Sequence, residues 1–428
     1  MYVELDKDSW SFLSGELWIE ILDGEIEVFG AKYSKGETIY LPEHRAAPLY
    51  SPTKCKLNIT FGNEGFISES KDPLIPESWN CLFSLLEKTN SGYKVMVIGN
   101  VDTGKTGLIT YLANKLFLSG KKIGLIDADT GQSDIGPPTT IGLGTIEHPI
   151  IHLSEAILLD AFFVGNVTPA GILQRSIIGT LEMIRRAIEY GMDIILIDTT
   201  GWVCDRWGRE LKMLKYLAVH PDLVVFIEKR EDELLHLKRA LEGYGAEFFH
   251  VESPPRVKMR PREERREIRA EMFRKEFEDA REIVVSLDSL GVSYGFLGTG
   301  KEPSETALNI LSEFFGEDIP YVEESEDALL ILTDHKVHGS ILEEIRRRLN
   351  KREIINITPN DIKHLLVAFT DFNGRFLGLG VILDFDIKTK KLLVWTRARL
   401  DILANIQFGH IKININGEEE GKFNPWLI

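Results

Sequence analysis

Residues 95–112 read "VMVIGNVDTGKTGLITYL": an apolar run, a glycine-bounded loop and the start of a helical pattern. The loop fits GxxxxGK[ST], in which main-chain N–H groups close around phosphate oxygens. In such a loop the lysine reaches the β- and γ-phosphates, the threonine binds Mg²⁺, and the helix directs its positive N-terminus at the anion. The stretch therefore predicts a nucleotide site made of Gly99, Asn100, Val101, Asp102, Thr103, Gly104, Lys105 and Thr106.

Short apolar runs continue on both sides of this loop and alternate with helical stretches. They read "KVMVI", "KKIGLID", "MDIILID", "DLVVFI" and "REIVVS". Strands that are buried on both faces of a parallel sheet appear as such continuous runs, and their alternation with helices indicates an α/β domain. We expect an α/β fold over residues 90–290, with a P-loop NTPase-type parallel sheet and helices on both faces.

The flanking regions have the patterns of β-sheet domains. Residues 1–75 alternate apolar and polar positions around Asp23-Gly24 and Lys35-Gly36, which are hairpin signals. Residues 291–428 contain a further hairpin signal at Asn373-Gly374. The sequence thus predicts three domains, the central one lying between a β-rich N-terminal and a β-rich C-terminal domain.

The composition is that of an ordinary globular protein, with 43% hydrophobic and 27% charged residues among 428. No apolar run has the length of a transmembrane helix, and "MYVELDKDSW" lacks the features of a signal peptide. Cys55, Cys81 and Cys204 are scattered, which fits reduced thiols. We predict a cytoplasmic protein with no membrane partner. The net charge of −16 argues against a surface for nonspecific nucleic-acid binding, but it leaves room for one local basic site.

Polar residues follow a second strand in "KKIGLIDADTGQSDIGPP", where the strand ends at Asp127 and is followed by Asp129 and Gln132. Ligands of α/β sheets lie beyond the carboxyl ends of strands. A carboxylate there can bind Mg²⁺, directly or through water, or accept a proton from an attacking hydroxyl. We predict Asp127 and Thr106 as magnesium ligands. An Asx-turn after the strand is the alternative, which we would prefer without the phosphate loop.

A third strand ends in "MDIILIDTTGWVCDRWG". Its "DTTG" resembles the DxxG of GTPases, and "GNVDTGKT" is similar to the phosphate loop of translation-factor GTPases. Such a GTPase also needs an Asn-Lys-x-Asp element after a later strand, but that place reads "LVVFIEKRED". A regulatory GTPase of this type is therefore a disfavoured alternative. Trp202 follows the strand and can stack on a base, although a core tryptophan is an equal alternative.

A fourth segment, "RVKMRPREERREIRAEMFRKEFEDA", is rich in arginine. Pro261 suits the first position of a helix, and the intervening glutamates also fit a surface helix with i,i+4 ion pairs. In phosphoryl transfer, however, arginines delivered from a lid stabilise the charge that spreads over the transferring group.

In this order the four motifs resemble the polynucleotide 5′-hydroxyl kinase family, the RNA kinases related to the kinase subunit of pre-mRNA cleavage and tRNA-splicing complexes. The resemblance implies Mg²⁺-dependent transfer of the γ-phosphate of ATP or GTP to the 5′-hydroxyl end of RNA or DNA, in RNA processing or repair. It also implies protein partners in RNA processing. Some members bind nucleotide but serve as scaffolds, so an NTP-binding structural subunit of an RNA-processing complex is a further alternative.

The resemblance also implies residue roles. Asp129 takes the position of the general base in the family's D-x-G-Q element, and the T-x-G-W clasp falls on Thr199, Gly201 and Trp202. The lid spacing R-x4-R-x3-R falls on three arginines, and the Thr-Pro turn resembles "GNVTP" at residues 165–169. The catalytic residues implied are Lys105, Asp129, Arg260, Arg265 and Arg269. The nucleic-acid contacts implied are Gln132, Thr199 and Trp202, with Trp202 gripping the RNA end.

Overall fold

The structure is a computed structural model that describes residues 1–317, 321–387, 389–399 and 401–424. It divides into two compact units, Met1–Phe162 with Thr168–Ile268 and Phe163–Val167 with Arg269–Ile428. Among the described helices, none is both long and apolar enough to cross a bilayer. The division into three domains given above stays a prediction.

The first unit begins with nine strands that form two antiparallel sheets. One sheet has the order β1-β8-β3-β6 and the other the order β5-β4-β7-β2-β9. The strands are β1 (Tyr2–Leu5), β2 (Ser9–Ser14), β3 (Leu17–Asp23), β4 (Glu25–Val28), β5 (Ala31–Ser34), β6 (Thr38–Leu41), β7 (Ala46–Ser51), β8 (Cys55–Phe61) and β9 (Phe66–Ser70). The β-rich character expected of this region is confirmed.

The turns between these strands differ from the expected hairpins. Asp23-Gly24 leads from β3 into β4, and Lys35-Gly36 leads from β5 into β6; in both cases the chain moves to the other sheet. The prediction of hairpins at these two places is therefore wrong. The hairpin lies instead at Phe29-Gly30, between the paired strands β4 and β5, with φ values of 45° and 75°. Positive φ angles at both central residues are what a type I′ hairpin turn requires.

The nucleotide sheet has seven strands in the order β13-β12-β11-β14-β10-β15-β16. Strands β11, β14, β10, β15 and β16 are parallel to their neighbours in that order, and β12 is antiparallel to β11. The elements are α1 (Glu77–Leu86), β10 (Tyr93–Gly99), α2 (Lys105–Leu118), β11 (Ile123–Ala128), β12 (Thr140–Thr145), β13 (Ile157–Phe163), α3 (Leu173–Glu189), β14 (Ile194–Thr199), α4 (Arg206–Val219), β15 (Leu223–Glu228), α5 (Leu235–Glu242) and β16 (Phe248–Glu252).

Both faces of this sheet are covered, as its continuous apolar strands predict. On β10, Val95 and Val97 join the core that contains Leu108 of α2 and the N-terminal sheets. The alternate residues Met96 and Ile98 join a second core on the opposite face, with side chains of α4 and α5. The α/β fold with helices on both faces is confirmed, and the sheet is mixed because of β12.

The second unit is built mainly of antiparallel strands. One sheet has the order β17-β24-β23-β22-β25-β18 with β26 paired to β25, and a smaller sheet has the order β19-β20-β21. After α6 (Arg262–Glu276), which begins in the first unit, the elements are β17 (Arg281–Ser286), β18 (Gly291–Ser293), α7 (Glu305–Phe315), β19 (Tyr321–Glu324), β20 (Ala328–Leu332), α8 (Gly339–Leu349), β21 (Glu353–Ile357), α9 (Pro359–Ile362), β22 (Leu365–Thr370), β23 (Phe376–Asp386), β24 (Lys391–Thr396), β25 (Asn405–Ile413) and β26 (Glu419–Lys422).

Two sequence predictions fall in this unit. The hairpin at Asn373-Gly374 is confirmed, since it joins the antiparallel strands β22 and β23. The run "REIVVS" was expected in the parallel sheet but forms β17, which pairs antiparallel with β24. That assignment is wrong because an apolar run indicates a buried strand without specifying the sheet that receives it.

Candidate active site

The phosphate loop joins the end of β10 to the start of α2. A side chain at Gly99 would place its Cβ 2.4 Å from Ile227 Cγ2, so the close approach of the two strands requires glycine. Gly104 has a φ of 92°, in the left-handed region that glycine adopts without strain. Within the loop, Thr103 Oγ1 donates to Asn100 O at 2.9 Å. The eight predicted nucleotide-binding residues therefore form one closed loop at the N-terminus of a helix.

Lys105 is the first residue of α2, and only 8% of it is exposed. Its Nζ donates to Asn100 O at 2.6 Å. Burial lowers the pKa of Lys105, and the carboxylates of Asp198, Asp129 and Asp102 oppose this effect. The lysine therefore lies within electrostatic reach of three carboxylates from three different segments.

Thr106 contacts a residue to which the sequence gave no role. Its Oγ1 donates to Asp198 Oδ2 at 2.8 Å, at the end of β14. Asp198 is 5% exposed, and among the described residues its Oδ1 has no hydrogen-bond partner. Burial raises the pKa of Asp198 to about 6; Lys105 and Thr106 oppose the rise, and the Asp129 carboxylate adds to it. A buried carboxylate with a spare oxygen thus lies beside the last residue of the loop.

Asp127 occupies the matching place on the neighbouring strand, since Asp127 and Asp198 are partners in the register of β11 and β14. Its oxygens are already engaged: Oδ1 accepts from Asp129 N at 3.0 Å, and Oδ2 accepts from the main-chain N–H groups of Asp134 and Ile135. Burial and the nearby Asp198 raise the pKa of Asp127 well above its ordinary value. The contacts of Asp127 organise the loop that follows it, and its role as a metal ligand stays a prediction.

The oxygen atoms of Thr106 and Asp198 are suitable ligands for Mg²⁺. Sites for Mg²⁺ on nucleotides use one or two carboxylates, with phosphate oxygens and water completing the shell. The described residues contain no group of three or more His, Cys, Asp and Glu side chains that could hold a metal. The Thr106 hydroxyl and the spare oxygen of Asp198 are donors of the right kind. No sequence motif marked Asp198, although its place at the end of a buried strand was a usable signal.

Asp129 forms an Asx-turn and still keeps a carboxylate oxygen outside that turn, so the two interpretations of its segment are compatible. Its Oδ1 accepts from Gly131 N at 3.1 Å and from Gln132 N at 3.2 Å, which is the Asx-turn considered above. The second oxygen takes part in neither bond. The Nε2 of Gln132 is buried and has no hydrogen-bond partner among the described residues. The turn therefore fixes the position of Asp129 while leaving one carboxylate oxygen for chemistry.

The segment after β14 lies against the phosphate loop. Thr199 is fully buried, and its Oγ1 donates to a main-chain oxygen of β10 at 2.7 Å. A Cβ at Gly201 would lie 2.7 Å from the Cα of Val101. Trp202 is half-buried, and its Nε1 donates to Asp205 Oδ2 at 2.7 Å. Trp202 is thus not part of a sealed core, and a contact of this segment with RNA stays a prediction.

The arginine segment, residues 256–268, contacts the rest of the first unit through side chains. Arg260 precedes α6 and donates through Nε and Nη2 to His44 O, at 3.2 and 2.9 Å. Arg265 donates through Nη2 to both oxygens of Asp102, at 3.3 and 3.2 Å. In the described part of the chain, Arg265 Nε is buried without a partner. Of the three predicted lid arginines, Arg265 is therefore the one that contacts the phosphate loop, and its role in catalysis stays a prediction.

Arg269 belongs to the second unit, where its Nε donates to Glu419 Oε1 at 2.6 Å. The residues of the expected Thr-Pro turn are divided between the units, with Gly165 accepting from His410 N in the second. The roles of Arg269 and of this turn stay predictions.

The N-terminal sheets contribute residues that no sequence motif marked. Arg45 forms an ion pair with Asp134, in the loop that follows Asp129; the two side chains are 17% and 11% exposed. Burial raises the pKa of Asp134, but the charge of Arg45 outweighs this and leaves it below its ordinary value. The neighbouring His44 Nδ1 lies 2.9 Å from Glu264 Oε1 in the arginine segment. The turn before β7 therefore contacts both the loop that follows Asp129 and the arginine segment.

Comparison with known proteins gives this site a context. Residues 99–279 match the family model described as the mRNA cleavage and polyadenylation factor CLP1 P-loop. The polyribonucleotide 5′-hydroxyl-kinase of Pyrococcus furiosus is 33% identical over 329 residues, covering 77% of this chain and 90% of that protein. That of Pyrococcus abyssi is 31% identical over 348 residues, covering 81% and 95%.

More distant proteins also match this chain, one in sequence and one in structure. The polyribonucleotide 5′-hydroxyl-kinase Clp1 of Rattus norvegicus is 24% identical over 283 residues, covering 62% of this chain and 65% of that protein. The solved structure of wild-type Clp1p in complex with Pcf11p (454–563) matches with a TM-score of 0.64 at 14% identity. That match covers 96% of this chain and 98% of the other, and it shows a shared fold.

Proposed function

The chain belongs to the family of the polyribonucleotide 5′-hydroxyl-kinases, and we propose that it is an enzyme that transfers the γ-phosphate of an NTP to the 5′-hydroxyl end of RNA. One observation carries the proposal for this chain: Lys105 is buried within electrostatic reach of Asp129 and Asp198 at the end of the phosphate loop. These residues would supply a lysine for the transferring phosphate, a base and a metal-binding oxygen at one edge of the sheet.

The phosphate loop holds the donor. Its main-chain N–H groups and the N-terminus of α2 bind the phosphates, as in other loops of this pattern. Lys105 exchanges its present contact with Asn100 O for the transferring phosphoryl group. Thr106 and Asp198 would hold Mg²⁺, with Asp127 as the alternative carboxylate. When bound, Mg²⁺ neutralises charge on the β- and γ-phosphate oxygens.

Asp129 acts as the general base. The Asx-turn holds its Oδ1 and leaves the other oxygen to accept the proton of the 5′-hydroxyl. Gln132 and Trp202 contact the RNA end, and Thr199 secures the segment that carries Trp202. Arg265, with Arg260 and Arg269, stabilises the charge of the transferring group. In this scheme the chain positions its substrates and supplies charge, as phosphoryl transfer requires.

The donor is ATP or GTP, and the acceptor class extends to DNA 5′-hydroxyl ends. The alternative of a translation-factor GTPase is weakened because β15 ends at Glu228 and is followed by Lys229-Arg230, without the guanine-reading element. A nucleotide-bound structural subunit is weakened by the presence of both Lys105 and Asp129. We further propose RNA-processing protein partners and a cytoplasmic location; the latter agrees with the free cysteines Cys55, Cys81 and Cys204.

The test is a transfer assay with γ-labelled ATP or GTP, Mg²⁺ and a 5′-hydroxyl oligonucleotide of RNA or DNA. Label on the RNA supports the proposal, and the relative rates of the four combinations give the donor and acceptor preferences. An RNA that already carries a 5′-phosphate is the matched control and should receive no label. Release of free phosphate without transfer would support the GTPase, and the absence of both reactions would support the structural subunit.

A further inference from the structure

Helix α4 contains two lysines that the proposed reaction leaves without a role. Lys212 and Lys215 have no exposed surface. A buried ammonium is costly unless its hydrogen-bonding groups are satisfied, so lysine at such a position calls for a specific contact. The helix begins just after Trp202, and Asp205 caps it by accepting from the N–H groups of Trp207 and Gly208.

Lys212 makes such a contact with the segment that precedes the helix. Its Nζ donates to Thr200 O at 2.7 Å and to Thr200 Oγ1 at 3.0 Å. Thr200 directly follows the end of β14 and precedes Gly201 and Trp202. Lys212 therefore holds the first residue of the clasp turn, residues 200–202, from within the protein.

The clasp turn has little freedom on its other sides. A Cβ at Gly201 would lie 2.7 Å from both N and Cα of Val101 in the phosphate loop. A Cβ at Gly208 would lie 2.7 Å from Trp202 O. The turn is thus enclosed between the phosphate loop and α4, and a shift at Thr200 changes the position of Trp202 relative to the phosphates.

The charges around Lys212 indicate what its removal would cost. Burial lowers the pKa of Lys212 well below its ordinary value, and the nearby cations of Lys215 and Lys105 lower it further. The carboxylates of Asp129 and Asp198 act in the opposite direction. An apolar side chain of similar length would relieve the repulsion between cations, so the fold need not lose stability when this amine is replaced.

We propose that Lys212 is a positioning residue that holds the clasp turn at the distance from the phosphate loop at which Trp202 receives the 5′ end of RNA. The inference rests on the proposed function, and it makes the amine of Lys212 a determinant of RNA affinity rather than of NTP affinity. Lys212 itself contacts neither substrate. It acts through Thr200.

The test compares Lys212→Met with Lys238→Met in the full chain. Lys238 is a matched control: it is also buried, lies on α5 and pairs with Glu228 at 2.6 Å. Loss of the two hydrogen bonds that Lys212 donates to Thr200 should raise the KM of Lys212→Met for 5′-hydroxyl RNA about tenfold. The KM for NTP and the melting temperature should stay unchanged, while Lys238→Met should keep the wild-type KM for RNA.

A second variant tests the route through Thr200. Thr200→Val removes the hydroxyl acceptor, and the double variant Lys212→Met/Thr200→Val should be no weaker for RNA than Lys212→Met alone. Additive losses would show that Lys212 acts elsewhere. An unchanged KM for RNA, or an equal rise for both substrates with a lowered melting temperature, would overturn the inference.

A direct measurement of RNA binding tests this inference independently of the proposed kinase activity. Anisotropy of a fluorescein-labelled 5′-hydroxyl oligoribonucleotide measures affinity without turnover. If the wild-type protein binds RNA but transfers no phosphate, the proposed function fails, and Lys212→Met still has to bind more weakly. Equal affinity of Lys212→Met and the wild-type protein would refute the inference even in an active enzyme.

Discussion

The carboxyl edge, formed by the ends of β10, β11 and β14, is held differently from the arginine segment. At the edge, main-chain groups hold the side chains: Asp129 by the N–H groups of its own turn, Asp127 by those of the loop beyond. In the arginine segment, side chains contact other parts of the chain, as Arg265 does with Asp102. The side chains of the edge are therefore held by main-chain groups, whereas Arg265 is held through Nη2 by a carboxylate of the phosphate loop, which NTP would displace in the proposed reaction.

The largest effect is expected from removing the lysine of the edge. Lys105→Ala should abolish transfer while the protein stays folded, because the lysine acts as a positioned charge on the transferring group. Single-turnover transfer and circular dichroism would be measured together. A folded variant that retains near-wild-type transfer would contradict the assignment of the phosphate loop.

Asp129→Asn should lower kcat by about 10²–10⁴-fold, which is the usual contribution of a general base. The amide can still accept the hydrogen bonds of the Asx-turn, so the position of the loop and the NTP affinity should be retained. The measurement is kcat together with the Kd for NTP, of which only kcat should change. Normal turnover with altered Mg²⁺ dependence would assign the base elsewhere, with Asp127 as the first candidate.

Arg265→Ala should lower single-turnover transfer by at least about 100-fold, a discount on the 10³–10⁵ seen for arginine fingers, because a neighbouring arginine can partly substitute. Arg266→Ala is the matched control, one residue along α6 and exposed, and it should lose much less. Equal and near-wild-type rates for both variants would make this segment an ordinary charged helix.

Asp198→Asn and Asp127→Asn should distinguish the carboxylate that binds Mg²⁺ from the one that stabilises the loop. Asp198 contacts Thr106, so its substitution should raise the Mg²⁺ concentration for half-maximal transfer about 10- to 100-fold. Asp127→Asn should mainly lower the melting temperature, since Asp127 accepts from the loop. A Mg²⁺ titration of both variants is the measurement, and the reverse pattern would restore Asp127 as the ligand.

The smallest effect is expected from removing the ion pair between Arg265 and Asp102, and it should appear in the Kd for NTP. Asp102→Asn removes the carboxylate that NTP has to displace, in an ion pair whose side chains are 23% and 20% exposed. Pairs of this kind contribute up to about 1 kcal/mol, so the Kd for NTP should fall about two- to fivefold. Weaker NTP binding would instead show that Asp102 supports the bound state of the loop.

How far the sequence predicted these regions depended on the kind of signal. The phosphate loop has a local pattern, and the residues between Gly99 and Thr106 lie where that pattern puts them. Strands β12, β13 and β16 of the seven-stranded sheet were missed. Gly142 and Gly144 lower the strand signal of β12, although a Cβ at Gly142 would meet Ile135 O. Turn residues were recognised at Gly24 and Gly36, but a turn does not specify which sheet receives the next strand.

Contacts between residues far apart in sequence could not be predicted from local sequence patterns. The ion pair of Arg45 with Asp134 joins the turn before β7 to the loop between β11 and β12, and neither residue has a local signature. The ion pair of Arg265 with Asp102 also depends on tertiary packing. Asp198 is an intermediate case, because its position after a buried strand was visible while its contact with Thr106 was not.

The tight turn at Phe29-Gly30 bears on the order in which the chain is synthesised. Asn114, buried in α2, donates to Phe29 O at 2.9 Å across 85 residues of sequence. Because synthesis runs from the N-terminus, the strands that contact α2 leave the ribosome before the phosphate loop does. We expect the first unit to assemble outward from its earliest residues, so that slow codons or a pause after β9 would protect its maturation, whereas a pause within α2 would not.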